Sequence, residues 1–182
     1  PGVGDLNTDG DTDDKVAYLW SAVGGPQNLG VAATRILATD SMVAALVSEQ
    51  GDGTDYEGDT LLESQVLMLR ASDGSGGWWN SGRDTIEVAV AGNLAGFTSR
   101  VGGTNVVASA NFGAGSPGVT ENMEGFAGTD LVLGERSICP NGAWVQPLAF
   151  RVPESEVGND LNSDGDQSDE VLVVWDLESG AL

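Results

Sequence analysis

Apolar residues along this chain come in short runs, VAYLW (Val16–Trp20), MVAALV (Met42–Val47), VLML (Val66–Leu69), VVASA (Val106–Ala110) and VLVVW (Val171–Trp175), separated by stretches rich in Gly, Asn, Asp and Thr. Runs this short, with turn residues between them, predict strands joined by turns. One stretch competes with that reading. Val31–Gln50 contains neither Gly nor Pro and admits an amphipathic helix with Ile36, Leu37, Val43, Leu46 and Val47 inward. Its counterpart later in the chain, PLAFRVPE, carries Pro147 and Pro153, each of which costs a helix interior about 3 kcal/mol. Both segments therefore read as strand, while Ala71–Asp84 and the Gly-rich Phe112–Gly128 read as surface loops.

The chain also resembles itself. DLNTDGDTDDKVAYLW (Asp5–Trp20) and DLNSDGDQSDEVLVVW (Asp160–Trp175) align without a gap, and DYEGDTLLESQVLMLR (Asp55–Arg70) is a worn third copy. LVSE and RVPE place Glu49 and Glu154 at the same interval before Asp55 and Asp160, and NLGVAATR and NLAGFTSR extend the likeness. The expectation is one all-β domain over residues 1–182, built from about three and a half repeats of roughly fifty residues. Its units are 5–54, 55–108, 109–159 and a partial 160–182. Each unit reads as loop, strand, turn, strand, turn, strand, which suits either propeller blades or a β-sandwich; a closed propeller needs at least about four blades.

Charge narrows the function. With 28 acidic against 7 basic residues the net charge is −21, which excludes a basic nucleic-acid footprint. Histidine is absent, so the commonest general base and transition-metal ligand are missing. Paired carboxylates for glycoside hydrolysis remain available in principle, but many of the acids fall in the copied loops. Cys139 is the single cysteine and precedes the turn sequence Pro140-Asn141-Gly142; it reads as an inert thiol or an intermolecular link. No apolar run is long enough to span a membrane, and the chain is expected to be soluble and already processed.

The copied loops carry the candidate chemistry. Counting from Asp5 as position 1, alternate positions are Asp5, Asn7, Asp9, Asp11 and Asp13, with Gly10 at position 6. This is the ligand spacing of an EF-hand loop: a hard cation needs six to eight oxygens at about 2.3–2.6 Å, so a tightly wound loop aims every second residue inward. Position 7 is expected to offer its backbone carbonyl. Where an EF-hand has its closing glutamate, this chain has Val16 and Val171, so Asp14 and Asp169, with Asp13, are expected to supply that carboxylate. Asp160, Asn162, Asp164 and Asp166 repeat the set in the last copy. The worn copy keeps Asp55, Glu57, Asp59 and Glu63 but has Thr60 in the glycine position, which makes it a weaker site or none. Glu49 and Glu154 either complete a shell across their loops or end strands in solvent.

DLNTDGDTDDKV and DLNSDGDQSDEVLVVWD resemble the loop-strand element of secreted bacterial and archaeal calcium-loop repeat proteins, often built as β-propeller blades and loosely similar to integrin-type and dockerin calcium loops. The resemblance covers the three copies and their VSE and VPE flanks, about half of the chain. It implies an extracellular or cell-surface, calcium-stabilised module that is structural or adhesive.

The expected protein is thus a non-catalytic calcium (Ca2+) binder. Because the chain begins just before Asp5 and stops at Leu182, its outer units look unfinished, and VLVVW is expected to be an open edge. Head-to-tail strand pairing with further copies would cover it and build a homo-oligomeric filament. The alternative is a glycan-binding module using Trp78 and Trp79 as a stacking platform; Trp20 and Trp175, at equivalent strand ends, are expected in the core.

Overall fold

The apolar runs form antiparallel strands in a computed structural model that describes residues 4–22, 24–114, 118–121, 126–179 and 181. The chain divides into two units, Pro1–Thr85 and Ile86–Leu182. That boundary falls inside the second expected repeat.

In the first unit, β1 (Val16–Ser21), β2 (Gly25–Ala38), β3 (Met42–Ser48), β4 (Gln65–Ala71) and the first part of β5 (Trp79–Ala91) form a meander in which each strand pairs with the next. A one-turn helix, α1 (Glu49–Asp52), follows β3. β3 pairs without interruption with β4, from Met42↔Ala71 to Ser48↔Gln65, and Met42 through Val47 are all buried. A strand covered on both faces shows no polar alternation, which is why this run also fits a helical period. Val31–Ser48 is strand apart from the turn after Ala38, and the helix it might have formed is confined to α1. Ala17, Leu29, Val31, Ala33, Ala45, Val47 and Met68 make the core on one face, with Leu19, Tyr56 and Trp78 packed over it.

In the second unit the rest of β5 continues into β6 (Leu94–Val101), β7 (Thr104–Asn111) and the short β8 (Val119–Glu121). β6 and β7 are joined through Gly102 and Gly103 at φ 58° and 87°; two consecutive positive φ values match the twist of a tight hairpin and favour glycine at both places. A second sheet faces this one, with strand order β13 (Glu170–Asp176), β12 (Pro147–Pro153), β9 (Thr129–Leu133). Between them lie the hairpin β10 (Ser137–Ile138) and β11 (Trp144–Val145) and the one-turn helix α2 (Glu154–Val157). The Cys139–Gly142 turn closes that hairpin, with Gly142 N donating to Cys139 O at 2.9 Å. Val107, Leu131, Leu148, Phe150, Val152 and Trp175 form the core between the two sheets.

Three expectations are corrected. Among the described residues the sheets close into neither a barrel nor a propeller; the sandwich alternative matches only the facing sheets of the second unit. Ala71–Asp84 is not all loop, because β5 begins at Trp79, and a strand, β8, lies within Phe112–Gly128; residues 115–117 and 122–125 of that stretch lie outside the described residues. Trp20 is not in the core: it is 70% exposed, whereas Trp175 is 2% exposed. The aligned strands bury opposite faces, Ala17 and Leu19 in β1 but Val173 and Trp175 in β13. β1 meets β2 through an irregularity between Val16 and Tyr18, while β13 pairs with β12 in unbroken register. A strand has two faces of equal period, and the partner chooses between them.

The second unit tolerates no added volume at Gly128, where a Cβ would fall 2.6 Å from both Phe150 Cδ2 and Val107 Cγ2. Gly128→Ala is expected to cost about 1–3 kcal/mol through overpacking, measured by denaturant unfolding. Gly77→Ala, with nothing within 4 Å, is expected to stay within about 0.5 kcal/mol of the parent.

Candidate metal centres in the acidic loops

Each acidic loop is wound by its leading aspartate. Asp5 accepts from Thr8 N at 2.6 Å and Gly10 N at 2.9 Å; Asp55 from Gly58 N at 2.6 Å and Thr60 N at 2.8 Å; Asp160 from Ser163 N at 2.6 Å and Gly165 N at 2.9 Å. Positions 4 and 6 have positive φ in all three: Thr8 69° and Gly10 109°, Gly58 85° and Thr60 73°, Ser163 63° and Gly165 104°. The worn loop keeps this backbone, with its glycine moved to position 4. Thr60 does not distort it. The hydrogen bonds from Thr60 and Gly58 hold the Asp55 carboxyl below the usual carboxylate range.

The last and the worn loop are each closed by a residue outside them. Glu154 N donates to Asp169 O at 3.0 Å, and its Oε1 accepts from Leu161 N at 2.5 Å and Asn162 N at 3.1 Å. Glu49 does the same for the worn loop: its N donates to Ser64 O at 3.2 Å, and its Oε1 accepts from Tyr56 N at 2.6 Å and Glu57 N at 3.3 Å. Neither glutamate ends a strand in solvent. Both are 0% exposed, at the first residue of α1 or α2, and the Oε2 of each is buried without a hydrogen-bond partner.

Two groups of carboxylates converge. Asp9, Asp11 and Asp14 offer oxygens within 4.8 Å of one another, and so do Glu154, Asp166 and Asp169. Position 7 thus contributes its side chain in both loops. The other expected ligands have other work. Asp5 and Asp160 wind their loops. Asn7 donates to Asp14 Oδ2 at 3.3 Å, Gly51 O at 2.8 Å and Asp52 Oδ1 at 3.0 Å; Asn162 donates to Asp164 and Asp169 at 3.2 Å each. Asp13 N donates to Asp11 Oδ1 at 2.8 Å, and the Asp13 carboxylate is outside the group. In the worn loop Asp55, Glu57, Asp59 and Glu63 form no such group among the described residues: positions 7 and 10 are Leu61 and Ser64, and the Ser64 hydroxyl bonds Glu57.

Crowding shows in the electrostatics. Burial, with the charges of Asp11 and Asp9, pushes the Asp14 carboxyl up. Asp169 is pushed up by its shared hydrogen bond with Asp164 and by the Asp164 and Asp166 charges. Two carboxylates can share a hydrogen bond only if one gives up charge or a cation replaces the proton.

A polar residue that the loop spacing does not announce, Asp52, ties the first two loops together. Its Oδ1 accepts from Ala32 N at 2.6 Å and from Asn7, and its Oδ2 from Tyr56 Oη at 2.8 Å. The aligned residues in the second unit are Val157 and Leu161, which pack against the apolar core instead. Burial and this hydrogen bond push the Tyr56 hydroxyl up to about 12.

Trp78 and Trp79 do not form an exposed pair. Trp78 packs on the first core, donates Nε1–H to Leu29 O at 3.0 Å and lies beneath Arg70 at 5.9 Å, and Trp79 pairs with Leu69 in the sheet.

Compared with protein-family models, curated protein sequences and solved structures, the chain matches none.

Tyr56 generates a pH test. Its neutral form is favoured in the fold, so that contribution is complete below the ordinary tyrosine value of 10 and is lost as pH rises towards about 12. In a Tyr18→Phe background, phenolate absorbance is expected to titrate near 12. Asp52→Ala should bring that titration part of the way down and, by orphaning Ala32 N and Tyr56 Oη, cost about 2–4 kcal/mol in urea unfolding.

Proposed function

We propose that this protein is a non-catalytic, calcium-stabilised structural module that works outside the cell or on its surface. The observation that carries the reading is the double convergence of carboxylates, Asp9 with Asp11 and Asp14, and Glu154 with Asp166 and Asp169. All the donors are oxygens, with no histidine in the chain and Cys139 outside both groups, a donor set for a hard cation. Three oxygens within 4.8 Å of one another lie at most about 2.8 Å from a common point, close to the 2.3–2.6 Å of calcium coordination. Without an ion the same groups repel one another within a chain of net charge −21. The likeness of the loops to secreted calcium-loop repeats agrees with this reading.

Calcium is therefore expected to raise the melting temperature of chelator-treated protein, with affinities on the order of 10⁻⁴ to 10⁻³ M per site. At a hundredfold excess over Kd each occupied site adds about 2.7 kcal/mol. Asp11→Ala or Asp166→Ala should remove most of one site's contribution, and Glu57→Ala almost none. An unchanged melting temperature across a calcium titration, with metal content verified, would sink the reading.

Assembly with further copies is the second part of the proposal. β1 pairs only with β2, and the outer edge of β13 carries only the bridge Asp176↔Ala181 among the described residues. Leu172 and Val174 on β13 and Val132 on β9 are 67%, 47% and 64% exposed, and Ala149 joins Val132 and Val174 in one row across the sheet. Sedimentation in calcium is expected to show oligomers that Leu172→Lys disperses, whereas a monomer in saturating calcium rejects assembly. Leu172→Lys is preferable to deleting the strand, which would remove Trp175 from the core.

A further inference from the structure

We infer that Glu154 is the ligand that closes the cation site of the last acidic loop from outside that loop, and that Glu49 waits in the same place beneath the worn loop, needing only two carboxylates to make a third site. This rests on the calcium reading above. Glu154 is wholly buried, one of its oxygens is spent on the amides of Leu161 and Asn162, and the other has no hydrogen-bond partner. A buried, unpaired carboxylate oxygen is costly unless a cation or proton meets it. An oxygen of Glu154 also lies within 4.8 Å of oxygens on Asp166 and Asp169. One ion at that point gives the orphaned charge a partner and relieves the crowding of the two aspartates. Because the same glutamate anchors the loop through its backbone N–H to Asp169 O, ion binding and loop closure become one event.

Glu49 repeats every part of this except the aspartates. It is buried, its Oε1 holds the amides of Tyr56 and Glu57, and its Oε2 has no partner. The worn loop has the same winding, down to Leu61 N on Asp59 Oδ1 at 2.7 Å where the last loop has Asp166 N on Asp164 Oδ1 at 3.1 Å. What differs is that Leu61 and Ser64 stand where the last loop has Asp166 and Asp169. Leu61 is 54% exposed, so the exchange there disturbs no core.

The test is calorimetric titration of the full chain with CaCl2, paired with melting in chelator and in calcium. Wild type is expected to bind two ions. Glu154→Gln keeps the oxygen that caps the loop but removes the charge, so it should weaken one site by about tenfold or more. It should also raise the melting temperature in chelator while lowering it in calcium. A residue that only caps the loop would not give opposite signs. Leu61→Asp with Ser64→Asp should add a third ion, and Glu49→Gln on top should abolish it; this pair decides the matter if Glu154→Gln fails to fold. Two ions in wild type with both affinities unaltered in Glu154→Gln, or a double variant that still binds two, overturns this inference and leaves the calcium reading standing. A wild type that binds none overturns both.

Discussion

Two of the three acidic loops depend on a carboxylate taken wholly out of water. Glu49 and Glu154 each follow a strand, begin a one-turn helix, and reach forward to the amides of the next loop's second and third residues. Their backbone amides return to the carbonyl at the loop's far end. One residue thus staples both ends of a ten-residue excursion to the sheet. Burying a charge is affordable only when its oxygens are met; here one oxygen is met by amides and the other is not. In the last loop that glutamate lies among the carboxylates of Asp166 and Asp169.

The worn loop separates winding from the convergence of carboxylates. Its leading aspartate makes the same hydrogen bonds and its backbone visits the same positive φ values, although glycine and the side-chain-bearing residue have traded places. What it lacks are the carboxylates at the two positions that converge elsewhere, and the Ser64 hydroxyl bonding Glu57 occupies that space. A loop can therefore keep its shape on hydrogen bonds alone. The first loop has a different support, since Asn7 is held by Gly51 and Asp52, and Asp52 in turn is held by Ala32 and Tyr56. At the aligned places the second unit substitutes Val157 and Leu161, an apolar contact for a polar one. The two solutions use the same backbone, and each is satisfied within its own surroundings.

The all-β class and the sharp turn in the glycine-bearing loops were legible in the amino-acid sequence, because both are local. Short apolar runs between turn residues allow little but strands, and a glycine five residues after the leading aspartate, as at Gly10 and Gly165, marks a sharp turn. That the aspartate itself winds the loop, through Thr8, Thr60 and Ser163 at positive φ, is a finding of the structure. The importance of Glu49 and Glu154 was half legible: their constant interval from the loops marked them, but not their burial. Tertiary structure decided the rest. Which carboxylates converge depends on which are already spent on the backbone, so Asp5 and Asp160 drop out of the groups while Asp11 and Asp166 enter through their side chains. Asp52 was invisible, since its partners come from a strand and two loops. The exposed Trp20 and buried Trp175 make the same point in the strands. An alternating sequence specifies that a strand has two faces, and only the sheet that packs on it determines which face is inside.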